Sequence, residues 1–269
     1  MTTIAKSRVA GAFDLATDYA AHAHMQHRVA QALAGRIAAL PLPALADSTG
    51  SPRLLEIGCG TGFLTGALLD RGLRGDWLVT DIAPAMVDRC AAAIARRDRP
   101  PALEFAIMDG EQPLPRLTRR GFDVVCSSLT FQWFADLPAA LPRLAALVAP
   151  GGVLAFTTLV AGTFEEWNRA HRLVGLEPGG LTYPGFEALA TSFPEGGTLA
   201  MHEQIEREHH ADAAAFLRSI KRIGAGTAAA GRRPLPPAGL RRVMAGFEAA
   251  GSRATYRIAS CIWTRDRQA

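Results

Sequence analysis

The sequence predicts an α/β fold in which a doubly wound, mostly parallel sheet carries helices on both faces. Strand-like and helix-like segments alternate five times at short spacing between residues 53 and 160, which is typical of parallel strands joined by crossover helices. Three alternate glycines, Gly58, Gly60 and Gly62, also stand directly behind the first apolar run. In such a sheet this is the turn from the first strand to the first helix, next to the ligand-binding crevice.

The elements follow in order along the chain. An Ala- and Gln-rich segment with helical spacing of its apolar residues predicts one helix over about 9–40. Apolar and β-branched runs predict five strands in the sheet region, at 53–58, 76–82, 103–109, 122–129 and 152–160. Helical patterns between them predict helices at 62–72, 83–97 and 136–149, the last ended by a Pro-Gly-Gly turn.

After Gly162 the regular alternation of strand and helix patterns ends. Helical patterns at 163–176, 211–224 and 240–250 and a loop followed by a helix at 179–194 interleave with strand patterns at 199–210 and 253–265, while 225–239 reads as a flexible link. We therefore expect a Rossmann-like, seven-stranded sheet with an antiparallel last strand. The predicted domains are an N-terminal helical lid (1–45) and a main domain (46–269), in which 163–200 and 211–250 roof the carboxyl edge of the sheet.

Composition limits the class of protein. The chain has 269 residues, 49% of them hydrophobic and 20% charged, which is enough apolar material for a globular core. The first fourteen residues have no signal-peptide core, and no run reaches the length of a membrane span. We expect a cytoplasmic protein that does not bind membranes. The four cysteines are far apart and form no C-x-x-C pair, so we expect buried, reduced thiols and no metal site.

The positive charge is concentrated at one end of the chain. From Phe216 onward, eleven arginines and lysines face only Glu248 and Asp266. Such a field attracts anionic partners, but no nucleic-acid motif accompanies it. The sequence therefore favours either a solvated basic face or an acidic protein partner, and no nucleic acid.

The glycine loop has the spacing G-x-G-x-G, which differs from the G-x-G-x-x-G of dinucleotide binders. Glu56 precedes it, and a carboxylate there repels a phosphate but suits a cationic ligand. We interpret the three glycines as a place where a ligand approaches the backbone more closely than a side chain would allow.

Two further carboxylates are expected at the same edge. Asp81 ends the second strand nineteen residues after Gly62, near the spacing at which a carboxylate meets a ribose diol. Asp109 ends the third strand, where a carboxylate accepts a hydrogen bond from an exocyclic amine. Together these residues describe a pocket for adenosine with a cationic, unphosphorylated tail, and S-adenosylmethionine fits that description.

The chain resembles the class I S-adenosylmethionine-dependent methyltransferases. The segments EIGCGTG, DIAPAMV, DGEQPLP, FDVVCSSLTFQW and APGGVLAFTTL carry this resemblance over about 50–160. Within that superfamily the chain is most similar to the malonyl-acyl-carrier-protein O-methyltransferases of biotin synthesis. The segments VAGAFDLATDYAAHAHMQ, SSLTFQWFADLPAAL, AFTTLVAGTFEE and FLRSIKRIGA carry that second resemblance over about 8–225.

The resemblance implies roles for individual residues. It implies a cofactor site that binds S-adenosylmethionine and releases S-adenosylhomocysteine, made of Tyr19, Glu56, Gly58, Gly60, Gly62, Asp81, Ile82, Met86, Asp109, Gly110, Ser127, Gln132 and Trp133. Tyr19 and Gln132 would also position the reacting groups. Gln26 belongs with Tyr19 in the segment that covers the cofactor.

The absence of an obvious catalytic base agrees with a carboxylate as the methyl acceptor. A carboxylate, with a reference pKa of about 4, is ionised at neutral pH and needs neither a base nor a metal. The resemblance implies a malonyl group on an acidic acyl carrier protein. Arg218 and Lys221 lie three residues apart on one predicted helix, so they share a face and are our candidates for binding that carboxylate. The alternatives are another small carboxylate or hydroxyl acceptor, and a non-methylating assembly factor that keeps the cofactor pocket.

Overall fold

A computed structural model describes residues 6–15, 19–41, 51–98, 100–117, 121–223 and 235–267. Its strands are β1 (Arg53–Ile57), β2 (Asp76–Asp81), β3 (Glu104–Ile107), β4 (Phe122–Ser128), β5 (Val148–Leu159), β6 (Gly197–His209) and β7 (Arg253–Arg265). They form one sheet in the order β3-β2-β1-β4-β5-β7-β6. β7 pairs antiparallel with both β5 and β6, whereas the pairs among β1 to β5 are parallel. The predicted fold class, with seven strands and an antiparallel last strand, is confirmed.

The described helices precede the sheet, connect its strands and lie over its carboxyl edge. They are α1 (Lys6–Asp14), α2 (Tyr19–His22), α3 (His24–Ala38), α4 (Phe63–Asp70), α5 (Pro84–Ala95), α6 (Leu137–Ala145), α7 (Glu165–Leu173), α8 (Phe186–Ala190), α9 (Ala213–Arg222) and α10 (Pro237–Ala249). Short 3₁₀ turns occupy Pro115–Leu117 and Phe131–Trp133.

The central strands are buried on both faces, which explains their continuous apolar runs. Neighbouring residues of β1 point to opposite sides: Leu54 packs in a cluster with α3, α4 and α5, and Leu55 in a cluster with α6. The second half of α3 therefore belongs to the helical layer on the sheet, since Leu33 and Ile37 are buried there. Burial of these side chains on two faces fixes the position of the sheet edge that carries the glycine loop.

The single helix predicted over 9–40 is wrong, because the described part of this segment forms three helices. The carbonyls at the end of α1 are satisfied by another element instead of by a further helical turn. Arg89 on α5 donates to the carbonyl oxygens of Phe13 and Asp14, and the Asp14 carboxylate accepts from the backbone N–H of Ala85. These contacts direct α1 along α5. Residues 16–18 and 42–50 lie outside the described residues.

The predicted Pro-Gly-Gly turn before β5 is also corrected, because these residues lie inside the strand. β5 begins at Val148, and its pairing with β4 shifts between Phe122 and Val124. Gly151 has a φ of 78°, and a Cβ on Gly152 would lie 2.8 Å from the carbonyl oxygen of Asp123. These glycines therefore lie at an irregularity inside β5, where its pairing with β4 shifts.

Helices α7, α9 and α10 do not pack against the central strands in the way α4 to α6 do, whereas Leu189 of α8 is buried in the same cluster as α6. An aromatic cluster joins α7, α9 and α10 to each other and to β7 through Trp167, Phe216, Phe247 and Tyr256. Glu166 anchors α7 to β7, since its carboxylate accepts from the backbone N–H and the hydroxyl of Thr255. Most of the predicted flexible link, residues 224–234, lies outside the described residues.

All four cysteines are buried and free, as the sequence predicts. Among the described residues, no helix has both the length and the hydropathy required to cross a bilayer.

Candidate functional site

The loop between β1 and α4 has left-handed backbone at each of its three alternate glycines. Gly58, Gly60 and Gly62 have φ values of 72°, 53° and 91°, a region that costs other residues about 1–2 kcal/mol. The backbone N–H groups of Gly58 and Cys59 both donate to the carbonyl oxygen of Thr80, at 2.8 and 2.9 Å. The end of β2 therefore holds the start of the loop.

The interpretation that a ligand explains all three glycines needs correction. A Cβ on Gly58 would lie 2.2 Å from Oγ1 of Thr130, and one on Gly62 would lie 3.0 Å from Sγ of Cys90. At these two positions the close neighbour is the protein itself. Only Gly60 faces open space, with no atom within 4 Å of its ideal Cβ. Of the three glycines, only Gly60 can therefore be explained by the close approach of a ligand to the backbone.

Asp81 completes the hold on the loop. Its buried carboxylate accepts from the backbone N–H of Gly60 through Oδ2 and from that of Ala83 through Oδ1, both at 2.9 Å. Burial raises the pKa of Asp81, although these hydrogen bonds oppose the rise. Each carboxylate oxygen has further acceptor capacity, so Asp81 can still bind a pair of hydroxyls.

A cavity lies between the glycine loop and helices α1 and α2, and we call it the loop cavity. It encloses about 900 Å³ of empty space, including its open mouth. Ten of the site residues suggested by the sequence line it, namely Tyr19, Glu56, Gly58, Gly60, Asp81, Ile82, Met86, Asp109, Gly110 and Trp133. Seven of them lie at or just after the carboxyl ends of β1, β2 and β3, as expected for a doubly wound sheet, whereas Tyr19, Met86 and Trp133 come from α2, α5 and the 3₁₀ turn after β4.

Three suggested cofactor residues do not line the loop cavity. Gly62 is the N-cap of α4 and packs against Cys90. Ser127 is buried and its hydroxyl donates to the carbonyl oxygen of Ile57 at 2.7 Å, so it joins β4 to β1. The cavity is lined instead by the next residue, Ser128. Gln132 lies elsewhere, as described below.

Other lining residues carry no signal in the sequence. Lys6, Val9, Phe13, Phe63 and Thr130 all face the loop cavity. Phe13 contacts the edges of Tyr19 and Trp133 at ring-centroid distances of 6.2 and 5.5 Å. An aromatic wall of this kind suits a flat ring or a cation. The phenylalanines were missed because apolar spacing does not distinguish a cavity wall from core.

Glu56 is the titratable group at the bottom of the loop cavity. Burial raises its pKa to about 8, against the hydrogen bond that it accepts from the Thr65 hydroxyl at 2.6 Å. Without a ligand the group is largely protonated at neutral pH. A cation bound beside it would favour the carboxylate, so Glu56 is suited to a cationic ligand only at the cost of losing a proton.

A second and larger cavity adjoins the first beneath helices α7 and α9, and we call it the roof cavity. It encloses about 2520 Å³ of empty space, including open solvent. Five residues line both cavities and form their common wall, namely Phe13, Tyr19, Gln26, Leu129 and Trp133. Burial and the charge of Asp81 raise the pKa of Tyr19, so its hydroxyl stays protonated and acts as a hydrogen-bond donor.

The remaining residues suggested by the sequence face the roof cavity. Gln132 donates from Nε2 to the carbonyl oxygen of Leu129 at 2.6 Å, and its buried Oε1 has no hydrogen-bond partner among the described residues. Arg218 and Lys221 on α9 line the same cavity and are exposed. Arg218 is paired only loosely with Asp212, at 3.8 Å, and its side chain is 59% exposed. Both basic groups are therefore accessible to an anion.

Comparison with known proteins agrees with this geometry. The Methyltransferase domain family matches residues 55–154. The chain is 36% identical to the malonyl-acyl-carrier-protein O-methyltransferase of Magnetococcus marinus over 96% of this chain and 92% of that protein. The chain belongs to the malonyl-acyl-carrier-protein O-methyltransferase family.

Two further relatives support the assignment. The methyltransferase of that name from Enterobacter lignolyticus is 31% identical over 99% of this chain and 100% of its own length. The biotin biosynthesis bifunctional protein BioCD of Bordetella avium is 41% identical over 96% of this chain. This methyltransferase spans only 52% of the length of BioCD. The resemblance stated from the sequence motifs is confirmed.

Solved structures share the fold at low sequence identity. YcgJ from Bacillus subtilis superposes with a TM-score of 0.60 at 14% identity, covering 87% of this methyltransferase and 98% of YcgJ. The [4+2]-cyclase SpnF superposes with a TM-score of 0.52 at 17% identity, covering 89% of this chain and 80% of its own. Since a cyclase shares the fold, the fold alone does not indicate methyl transfer.

In this methyltransferase, alanine at Gly60 should mainly weaken ligand binding, whereas alanine at Gly58 should mainly lower the stability of the fold. We expect Gly60→Ala to lower the free energy of unfolding by only about 1–2 kcal/mol, the cost of left-handed alanine, while weakening S-adenosylhomocysteine binding at least about tenfold because the methyl group enters the cavity. Gly58→Ala places a methyl group on Thr130, so we expect a loss of roughly 3 kcal/mol or more. Urea denaturation and calorimetric titration measure both effects. Undiminished binding by Gly60→Ala would contradict the assignment.

The raised pKa of Glu56 predicts a pH dependence of stability. Between the ordinary value of 4.5 and about 8, the folded protein holds a proton that the unfolded chain releases, so stability falls as pH rises through this range. The slope from one such group is about 1.4 kcal/mol per pH unit. We expect Glu56→Gln to remove this part of the slope, measured by urea denaturation without ligand at about pH 5.5 and about pH 7.5. The exposed Glu165→Gln is the control, and identical slopes for wild type and Glu56→Gln would show the group to be ionised.

Proposed function

We propose that the protein transfers a methyl group from S-adenosylmethionine to the free carboxylate of a malonyl thioester carried by an acyl carrier protein, an early step of biotin synthesis. Membership of the family supports the reaction, and the substrate named for its relatives is the one that we propose for this protein. The observation that carries the proposal in this chain is the common wall between two cavities, one suited to an adenosine with a cationic tail and one lined by exposed basic residues.

The loop cavity fits S-adenosylmethionine on its own features. Gly60 leaves open space beside the backbone, Asp81 retains acceptor capacity for a ribose diol, and Glu56 supplies a carboxylate for a cation. We assign the ribose and adenine side to Asp81, Ile82 and Met86, and the adenine edge to Asp109 and Gly110. When bound, S-adenosylmethionine would supply a methyl group activated by the sulfonium: an O–C bond to the acceptor carboxylate would form in line as the C–S bond breaks, with its electron pair left on the sulfur of S-adenosylhomocysteine.

The chain contributes mainly position and exclusion of water. The reacting atoms have to meet at the common wall, because only there are both cavities within reach. We assign Tyr19 a positioning role there, as a protonated hydroxyl that donates a hydrogen bond. The neighbouring Trp133 and Phe13 exclude water. No proton has to move, because the acceptor carboxylate is already ionised at neutral pH.

The roof cavity is our proposed acyl site, and Gln132 belongs to it. The Gln132 amide retains a second N–H on Nε2 that is suited to a carboxylate or carbonyl oxygen, so we assign it to the substrate and no longer to the cofactor. Arg218 and Lys221 supply the positive charge. Exposed arginines continue along α9 and α10 at 222, 241 and 242, and this basic face is our proposed docking surface for the acidic carrier protein.

The first experiment is an intact-mass measurement of malonyl-carrier protein incubated with the enzyme and S-adenosylmethionine. We expect a gain of one methyl group, removed again by mild ester hydrolysis. Acetyl-carrier protein, which has no free carboxylate, is the matched control, and malonyl-coenzyme A tests the need for the carrier. No gain on any of these, with S-adenosylhomocysteine binding intact, would favour another acceptor or a non-methylating role.

Substitution of Arg218 tests the acyl site. We expect Arg218→Ala to raise KM about tenfold for malonyl-carrier protein and for malonyl-pantetheine, because a charge-assisted contact to the carboxylate is lost from an exposed group. Lys221→Ala should act in the same direction, and less, because lysine lacks the bidentate geometry. The exposed Arg96→Ala, at the C-cap of α5 and outside the lining of both cavities, removes the same charge as a control. If Arg218→Ala raised the KM for malonyl-carrier protein but not for malonyl-pantetheine, Arg218 would contact the carrier protein and would not bind the acyl carboxylate.

A further inference from the structure

Lys6, in the first turn of α1, joins two carboxylates of the loop that follows β3. Its Nζ lies 2.5 Å from Oδ2 of Asp109 and 2.7 Å from Oε2 of Glu111. Lys6 and Asp109 both line the loop cavity, and Asp109 is the residue that we assign to the adenine edge. The ammonium group therefore sits at the adenine end of the cavity, about one hundred residues away in sequence from the carboxylates that it bridges.

Helix α1 has little apolar burial to hold it in place. Val9 is its only buried residue, and Ala10 and Phe13 are partly buried against Ala83 and Met86. Polar contacts hold both ends instead. At its C-terminal end, Arg89 and the N-terminus of α5 bind Asp14 and the neighbouring carbonyl. At its N-terminal end, the described contact of this kind is the one made by Lys6.

Glu111 connects this contact to the common wall of the two cavities. Its buried carboxylate accepts from the backbone N–H groups of Ala135 and Asp136 at 2.9 and 2.8 Å. These residues follow the 3₁₀ turn that carries Trp133. Burial acts to raise the pKa of Glu111, but Lys6 and the two N–H groups outweigh it and hold the pKa below its ordinary value. One carboxylate thus links α1, the β3 loop and the segment after Trp133.

We propose that Lys6 is a positioning residue that fastens the start of α1 across the adenine end of the loop cavity through Asp109 and Glu111. The inference rests on the proposed binding of S-adenosylmethionine in that cavity. The Lys6 ammonium balances the charge of two neighbouring carboxylates and keeps Val9 and Phe13 on the cavity wall. Without it, α1 opens at its N-terminal end and the bound nucleoside loses one of its walls.

A positioning role for Lys6 affects cofactor affinity, whereas a general contribution to folding would affect the stability of the ligand-free protein. The Lys6 and Asp109 side chains are 27% and 32% exposed, and the buried Glu111 keeps its two backbone N–H donors when Lys6 is removed, so we expect loss of the Lys6 contacts to have only a modest effect on the stability of the protein without ligand. Its effect falls on the cofactor, because closure over the nucleoside has to be driven by the remaining contacts. We therefore expect a change in cofactor affinity and in KM for S-adenosylmethionine. At saturating S-adenosylmethionine, which holds α1 closed and Phe13 in the common wall, kcat and the KM for the acyl substrate should be unchanged.

The test compares three variants of the full chain. Lys6→Met removes the charge and keeps most of the apolar stem, Lys6→Arg keeps the charge, and Arg8→Met removes an exposed charge from the same helix. We expect Lys6→Met to weaken S-adenosylhomocysteine binding about tenfold by calorimetric titration, with a matching rise in KM for S-adenosylmethionine. Lys6→Arg should restore most of the affinity, and Arg8→Met should bind as the wild type does.

The outcomes separate this inference from the proposed function. Wild-type protein that fails to bind S-adenosylhomocysteine overturns both. If the wild type and Lys6→Met bind S-adenosylhomocysteine with equal affinity, the role of Lys6 is overturned and the proposed function is not. A fall in the melting temperature of the ligand-free variant that accounts for the whole loss of affinity also overturns it, because Lys6 would then act on folding. A loss of affinity with an unchanged melting temperature and rescue by arginine supports it.

Discussion

The end of strand β2 holds the glycine loop in place, and the rest of the site depends on that hold. The Thr80 carbonyl accepts two N–H groups from the start of the loop, and the Asp81 carboxylate accepts a third from Gly60. Without these acceptors, the N–H groups of a loop that makes neither helix nor strand hydrogen bonds would lack partners. Because these bonds fix the loop, α4 begins at a set point and Gly60 faces open space. Asp81, the residue to which we assign the ribose, therefore also holds the loop in place.

Two layers of packing then set the distance between the cavities. The strands around β1 are buried on both faces, so the sheet edge that carries Glu56 and Asp81 is a rigid floor. The aromatic cluster around Trp167 and Phe216 positions α7 and α9 above it. Between floor and roof stands a wall one side chain thick, made by Tyr19, Trp133 and their neighbours. A reaction that requires an in-line approach and no proton transfer gains most from such an arrangement, since position accounts for most of its barrier reduction.

The sequence was sufficient for the sheet and for the floor of the site, because both depend on local patterns. Alternation of strands and helices predicts the order of elements, and the ends of parallel strands meet at one edge, which brings Glu56, Asp81 and Asp109 together. The structural roles of individual residues were harder to predict from the sequence. Gly58 and Gly62 resemble Gly60 in sequence but face Thr130 and Cys90, and Ser127 and Ser128 differ only in the side of β4 to which they point. Lys6 could not be found, because nothing local marks its pairing with residues of the β3 loop.

The floor and the N-terminal covering helix are held by different forces, and this difference bears on how a ligand enters. Side chains of the sheet and of α3 are removed from water in large numbers, so that part opens only with global unfolding. Helix α1 buries Val9 alone and is otherwise tied by charged and polar groups near its two ends. Such contacts exchange readily with water and contribute little each, so α1 is the element that can open while the sheet stays intact. A nucleoside that binds in the loop cavity, as we propose, can then enter over a preformed floor and be covered afterwards by a helix that costs little to move.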